Sequence, residues 1–161
     1  MSGSAERLLA ESKKHKVWKR LCEIPSMGPI RAAELLGILQ TPHRFRTKRQ
    51  LWTYCGLGVV TSSSADHQVE KGQLRRKKKH AQVRGLNENY NHDLKNLFKG
   101  AAVVASIKPG PFAEFYAALV GKGMRPEMAR LTLARKIATI VLIVWKRGVC
   151  FDAQYLKPQT V

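Results

Sequence analysis

The segment from Ile24 to Leu36, with the sequence IPSMGPIRAAELL, predicts a sharp turn between two helices. Pro25 closes the first helix, Gly28 makes the turn, and Pro29 occupies the first position of the second helix, which proline favours. Such a turn exposes backbone N–H groups beside a helix N-terminus, and Arg31 lies close by. The place suits a phosphate, although helix hairpins also occur as plain packing units.

The charge of the chain favours the phosphate interpretation. Its 161 residues include 29 Lys and Arg against 11 Asp and Glu, which gives a formal net charge of +18. An excess of this size destabilises a folded chain by self-repulsion and usually indicates a polyanionic partner, nucleic acid first and an anionic membrane surface second. No apolar run reaches the roughly 18 residues that a membrane span needs, so we expect a soluble, intracellular protein.

Helical patterns continue on both sides of the turn. Residues 5–23 predict one helix with an apolar stripe edged by lysine and arginine, whereas residues 1–4 resemble a frayed end. The helix after the turn is expected to end near Leu39. A third helix is expected from Thr47, because Thr47 and Gln50 fit a capping box.

Three more helices are predicted in the second half of the chain, over residues 87–107, from Pro111, and from Pro126 to about Gly148. In the last of these, residues 137–145 are apolar on nearly every side and should form the buried central helix. The predicted fold class is therefore mainly α, with about six helices around one core. It includes a helix-hairpin-helix element and at most a small β-hairpin in the polar middle region.

That middle region carries the candidate nucleophiles. Residues 61–73 form a polar loop with the consecutive serines Ser62, Ser63 and Ser64, and residues 74–85 are strongly basic without any acidic residue. Three serines in a loop usually form a polar turn. Beside a basic run, however, a hydroxyl could attack a phosphodiester whose developing charge is stabilised by Lys71, Arg75 and Arg76.

No metal site is predicted in this chain. The carboxylates of the middle region do not converge on one face, and the three cysteines contain no C-x-x-C pair. Asp66 and His67 lie near the serines, but the sequence shows no obvious base for the hydroxyl.

Five stretches in this order resemble a known family: residues 24–33 (IPSMGPIRAA), 45–57 (FRTKRQLWTYCGL), the serine loop, 84–87 (RGLN) and 97–102 (LFKGAA). Together they are similar to the C-terminal domain of the insertion-sequence transposases of the IS one-ten type, relatives of the Piv DNA invertases. The similarity covers roughly residues 17–146. The chain then divides into a linker helix with an N-terminal remnant (1–23), the transposase domain (24–148) and a tail (149–161).

The resemblance implies a DNA recombinase with a helix-hairpin-helix element and a serine that becomes covalently linked to the cut strand. Ser64 matches the family's nucleophile, with Ser63 as the reserve. Ala65 and Ser26 stand where the family pattern has glycines. Ala65 puts the backbone geometry of the serine loop in question, and Ser26 weakens the case for a phosphate at the hairpin, where Gly28 remains. The expected DNA-binding residues are those of the hairpin and the basic run: Ser26, Gly28, Ile30, Arg31, Lys71, Arg75, Arg76, Lys77, Lys78, Lys79 and Arg84.

The resemblance also implies partners. Family members have an N-terminal RNase-H-like domain with four metal-binding carboxylates, so Mg²⁺ is expected there and no cofactor in this chain. We therefore expect this chain to be a detached C-terminal half that binds DNA but is inactive alone. We also expect a dimer or higher homo-oligomer, and a guide RNA as a partner of the full protein. It should act in the bacterial cytoplasm, at the nucleoid, and not at a membrane.

Two other functions remain open at this stage. One is a non-catalytic nucleic-acid-binding or RNA-scaffold module that uses only the hairpin and the basic run. The other is an assembly module that dimerises through the apolar last helix and Phe112, Phe115 and Tyr116.

Overall fold

A computed structural model describes residues 2–12, 15–58, 67–70, 73–76 and 90–157. Within these ranges the chain is mainly helical, as predicted, with one antiparallel β-hairpin. The α-helices are α1 (Ser2–Ser12), α2 (Lys16–Cys22), α3 (Gly28–Leu39), α4 (Lys48–Tyr54), α5 (His92–Ile107), α6 (Pro111–Gly121) and α7 (Pro126–Arg147). The strands are β1 (His67–Glu70) and β2 (Gln73–Arg76), and short 3₁₀ turns cover Pro42–Arg44 and Ala153–Leu156.

Helix α7 is the central element of the core. Its residues Ile137, Ile140, Val141 and Val144 are fully buried, which confirms the prediction of a buried central helix. Helices α2, α4, α5 and α6 all pack against it. Both α5 and α7 contribute alanines to the shared core, and small side chains let two helices approach closely.

The prediction of one helix over residues 5–23 is wrong. The structure has two helices there, and His15 between them is extended, with φ −89° and ψ 129°. Both α1 and α2 pack on α3. A Cβ placed on Gly37 of α3 would lie 3.0 Å from Leu8 Cδ1, so the absent side chain makes room for Leu8. Residues 2–4, which were expected to be a frayed end, belong to α1.

The turn between α2 and α3 lies where the sequence predicts it. Ser26 and Gly28 take the left-handed conformation, with φ of 68° and 69°, and Pro29 stands in the first turn of α3. The cap of α4 is also confirmed, because Thr47 Oγ1 accepts the N–H of Gln50 at 3.3 Å. The Gln50 side chain, however, accepts the N–H of Arg46 instead of that of Thr47.

The end of α4 anchors both sides of the serine region. The carbonyl of Trp52 accepts the N–H groups of Leu57 and Gly58, at 2.7 and 3.0 Å. On the returning side, the N–H of Asn91 donates to the carbonyl of Tyr54 at 2.8 Å. The described residues on the two sides of the serine region, Gly58 and Asn91, are therefore both hydrogen-bonded to carbonyls of α4. Between these points, β1 and β2 pair in the register His67 with Arg76 and Glu70 with Gln73.

Candidate nucleic-acid interface

Only part of the predicted site lies within the described residues. The structure places the four hairpin residues, Ser26, Gly28, Ile30 and Arg31, and it places Arg75 and Arg76 in β2. The remaining predicted residues lie outside the described ranges: Ser63, Ser64, Lys71, Lys77, Lys78, Lys79 and Arg84.

Arg31 is tied to the protein itself. Its Nη1 donates to the carbonyl of Ser26 at 3.1 Å, and its Nη2 lies 3.4 Å from the position of a Cβ on Gly100 of α5. The guanidinium therefore connects the turn with α5. One of its donors is used in holding the turn, and the others remain for a ligand.

The groove beside the turn is not strongly basic. It has a volume of about 910 Å³, and its charged lining is Arg31 with two carboxylates, Glu34 and Asp93. The side chain of Ile30 at the start of α3 is 60% exposed. The hairpin thus presents an apolar tip, while the described lining of the groove beside it carries one cation and two carboxylates.

A second basic surface was not among the predicted contacts. Arg44, Arg46, Lys48 and Arg49 are all exposed, and they fall within six consecutive residues. The guanidinium of Arg44 lies over the ring of Tyr54, with Cζ 4.8 Å from the ring centroid. Among the described residues that line the adjoining cavity of about 570 Å³, none is acidic.

These cations occupy positions that the fold alone disfavours. Lys48 and Arg49 begin α4, and its first turn contains no acidic residue. Positive charge at a helix N-terminus opposes the helix dipole, typically by about 0.3–1 kcal/mol at an exposed position. An anionic partner would reverse this penalty. In the sequence, the basic stretch RFRTKR (residues 44–49) could have indicated this surface, but we interpreted it as a loop and a helix cap.

Trp52 joins α4 to α7 beside this surface. Its Nε1–H donates to the carbonyl of Arg135 at 3.0 Å, and the Nε–H of Arg135 donates to the carbonyl of Leu57 at 2.6 Å. The ring of Trp52 also has two cations over it, with Lys48 Nζ at 5.5 Å and Arg135 Cζ at 5.9 Å from its centroid.

Lys136, the residue after Arg135 in α7, is partly buried. Burial lowers the pKa of its ammonium group because it disfavours the charged form, and the charge of Lys48 lowers the pKa further. Burial likewise lowers the pKa of Arg135, whose Nη2 is buried without a hydrogen-bond partner among the described residues. In the part of the chain that the structure describes, none of these three cations forms an ion pair with a carboxylate.

Other chemistries find little support in the described ranges. No group of three His, Cys, Asp or Glu side chains converges there as a metal site. Burial raises the pKa of the Cys55 thiol to about 12, so this cysteine stays protonated and is a poor nucleophile. None of the helices in these ranges combines the length and apolar character needed to cross a membrane.

Comparison with known proteins identifies the family. The family model "Transposase IS116/IS110/IS902 family" matches residues 18–117, from α2 through most of α6. The chain is also 28% identical, over 113 residues, to the "Insertion element IS116 uncharacterized 44.8 kDa protein" of Streptomyces clavuligerus. That match covers 70% of this chain and 25% of the relative, so the chain spans about a quarter of the relative's length. Because the family model covers more than half of its residues, the chain belongs to the IS116/IS110/IS902 family of transposases.

Proposed function

We propose that this chain is the DNA-binding, nucleophile-bearing domain of a transposase. The observation that carries the proposal is the exposed set of cations at the start of α4, Arg44, Arg46, Lys48 and Arg49, beside a cavity whose described lining has no acidic residue. In a transposase family, DNA is the polyanion that such a surface suits best.

In the proposed reaction, the hydroxyl oxygen of Ser64, or of Ser63 as the alternative, attacks a DNA phosphorus. A serine–phosphate bond forms, the bond from phosphorus to one neighbouring nucleotide oxygen breaks, and that oxygen takes up a proton. Cations at the root of the serine segment stabilise the charge that develops on the phosphate oxygens. The phosphoseryl link keeps the cut strand attached for rejoining to a new partner strand.

Mg²⁺ belongs, in this proposal, to a separate RNase-H-like domain. The described side chains around Trp52 are nitrogen cations, whereas Mg²⁺ prefers oxygen ligands. The chain's own contribution is to bind and orient DNA and to supply the serine. A homo-oligomer, a guide RNA and an association with the bacterial nucleoid are further parts of the proposal for the full-length protein.

The helix-hairpin-helix element has a holding role in this scheme. Backbone N–H groups at the start of α3, such as that of Gly28, would contact the DNA backbone, with Ile30 against the sugars and Arg31 bracing the turn. Backbone contacts of this kind position DNA without reading its sequence. The basic run contributes further backbone contacts through Lys71, Arg75, Arg76, Lys77, Lys78, Lys79 and Arg84.

The DNA-binding part is tested by titrating a fluorescent duplex with the 161-residue chain at several salt concentrations. A surface that makes six to ten phosphate contacts loses roughly 10³–10⁵ in affinity between 50 and 200 mM salt.

We expect Arg44→Gln combined with Arg49→Gln to flatten the salt dependence, by about one in the log–log slope for each lost phosphate contact. The matched control is Lys108→Gln combined with Lys122→Gln, since both lysines are exposed in turns next to α6. Binding that does not depend on salt would contradict the proposal.

The nucleophile is tested by trapping covalent protein–DNA adducts after the chain is joined to the metal-binding domain of a family member. Adducts should form with the native serines and vanish in Ser64→Ala. If adducts are lost only in Ser63→Ala, the nucleophile is Ser63 and not Ser64. If neither the native chain nor the variants form adducts, the result favours the second candidate function, a non-catalytic nucleic-acid-binding module. The observation in favour of that function is Ala65, which stands where the family's serine–glycine pair has glycine.

A further inference from the structure

Arg135 of α7 holds the backbone just after α4, immediately before the segment that carries the serines. Its Nε–H donates to the carbonyl of Leu57 at 2.6 Å. Leu57 is completely buried, and its N–H donates to the carbonyl of Trp52 at 2.7 Å. The indole Nε1–H of Trp52 in turn donates to the carbonyl of Arg135 at 3.0 Å. These three residues therefore form a closed ring of hydrogen bonds that joins α4, the chain after it and α7.

Gly58, the last described residue before the serines, is held against α4 as well. Its N–H donates to the carbonyl of Trp52 at 3.0 Å. A Cβ added to Gly58 would lie 3.0 Å from Thr53 Oγ1 and 3.2 Å from Thr53 Cα, so the backbone passes very close to the helix. With α4 on one side and Arg135 on the preceding carbonyl, the chain is fixed at Leu57 and Gly58.

The fold uses an arginine here although a charged side chain is costly at this position. Nη2 of Arg135 is buried without a hydrogen-bond partner among the described residues, and such a donor loses its hydration without compensation. A methionine of similar length would avoid that cost. It could not donate to the Leu57 carbonyl, however, and the bond to that carbonyl is therefore the specific contribution of the guanidinium.

We propose that Arg135 is a positioning residue for the serine nucleophile and acts through the backbone at Leu57 and Gly58. This inference rests on the proposed function, which assigns the nucleophile to Ser64 or Ser63. Only five residues separate Gly58 from Ser63, so a shift of the backbone at Gly58 also displaces the start of the serine segment. Attack on phosphorus requires an aligned hydroxyl, and a misplacement of about 1 Å can lower a rate about 100-fold.

The test measures adduct formation by the chain joined to the metal-binding domain, at a saturating duplex concentration and well below the melting temperature. Arg135→Met should lower the initial rate by about 100-fold and leave the Kd for the duplex unchanged, because DNA still binds but the hydroxyl is misplaced. Arg135→Lys keeps a donor and should recover part of the rate. Arg135→Gln, which is shorter than arginine, takes the place of Arg135→Met if that variant does not fold.

Ile137→Val is the matched control for stability. It shortens a buried side chain of the same helix and lowers Tm, while the bond from Arg135 to Leu57 remains. Its rate of adduct formation should stay native. A native rate in Arg135→Met, or an equal loss of rate in Ile137→Val, overturns the positioning role. Weaker duplex binding by Arg135→Met with a salt slope lower by about one also overturns it, since Arg135 would then contact a phosphate itself.

Hydrogen exchange on the 161-residue chain alone gives a second measurement. The amides of Leu57 and Gly58 should exchange faster in Arg135→Met than in the native chain, and in Ile137→Val they should not. Unchanged exchange in Arg135→Met overturns the positioning role whether or not the joined protein is active. An absence of adducts with the native joined protein overturns the proposed nucleophile, and this inference with it. Adducts that form equally well without Arg135 overturn this inference alone.

Discussion

Position 26 is held in a conformation that serine adopts at a cost. Its φ of 68° lies in the left-handed region, and its Oγ is buried without a hydrogen-bond partner in the described part of the chain. The Ser26 carbonyl, in contrast, is used, since it accepts Arg31 Nη1. A glycine would satisfy the same backbone geometry without the strain or the buried hydroxyl.

Ser26→Gly should therefore stabilise the fold. The left-handed conformation costs an L-residue roughly 1–2 kcal/mol, and the greater freedom of glycine in the unfolded chain offsets part of the gain. We expect about 1 kcal/mol, seen as a rise of about 2–4 °C in Tm by circular dichroism. Gln40→Gly, at φ 61°, is a matched control without a buried hydroxyl. A lower Tm for Ser26→Gly alone would show that the hydroxyl has a stabilising partner.

At position 56, in contrast to position 26, the native residue is already glycine, and no other residue fits there. Its φ is +69°, and an added Cβ would lie 2.6 Å from Cγ and Cδ2 of Tyr90. The ring of Tyr90 fills this space where the chain re-enters the core, and Lys95 Nζ lies 4.6 Å from its centroid.

Gly56→Ala should destabilise the protein by roughly 3 kcal/mol, since backbone strain and overpacking both contribute. Urea unfolding measures the loss as a lower midpoint at an unchanged m-value. Gly121→Ala should be nearly neutral, because nothing lies within 4 Å of its added Cβ. Adding Tyr90→Ala to Gly56→Ala should cost less than the sum of the single changes; strict additivity would argue against the clash.

At the scale of elements, the short helix α4 is stabilised by its neighbours more than by its own length. Seven residues form only two turns, which are marginal in isolation. Thr47 caps its start, Leu51 buries it in the core, and Trp52 fastens it to α7. Helix α4 thereby holds the described residues on both sides of the serine segment, Gly58 and Asn91, through its own carbonyls.

Trp52→Phe should separate the contribution of Trp52 to stability from the contribution of the surrounding cations to DNA binding. The substitution removes the indole hydrogen bond, at about 1 kcal/mol, while the Arg135 carbonyl still accepts Thr139 Oγ1 at 2.9 Å. All cations remain, so the slope of DNA binding against salt should stay close to native. Thermal melts and duplex titrations on the same preparation give both values. An unchanged Tm with a lower slope would reverse these roles.

At the scale of the whole molecule, the net charge of +18 makes stability and binding respond to salt in opposite directions. Self-repulsion weakens the folded state, and counterions relieve it. The same counterions compete with the protein for DNA phosphates.

Raising sodium chloride from about 0.1 to 1 M, which shortens the Debye length from about 10 to 3 Å, should therefore raise Tm while it abolishes duplex binding. A rise of a few degrees corresponds to about 1 kcal/mol for a chain of this size. The effect on Tm should shrink in Lys108→Gln with Lys122→Gln, because the net charge is then smaller. A Tm that falls with salt would mean that ion pairs, and not repulsion, dominate the surface.

Local patterns were sufficient for most of the helical architecture. The prolines and Gly28 placed the turn before α3, Thr47 placed the start of α4, and the apolar run 137–145 marked the central helix. These signals work because capping, proline geometry and amphipathic periodicity act between residues close in sequence. The break at His15 escaped prediction because residues 5–23 contain no proline or glycine to mark it, and the packing of Leu8 at Gly37 joins residues far apart in the chain.

The sequence by itself determined the mainly helical class, the large positive charge and the resemblance to transposases, all of which depend on composition or on short ordered motifs. Only the tertiary structure decided what the cations contact. Arg31 turned back onto Ser26, while Lys48 of α4 and Arg135 of α7 lie over the same Trp52 ring. Charges interact through space, and packing between distant helices sets those distances, so no pattern along the chain could reveal this arrangement.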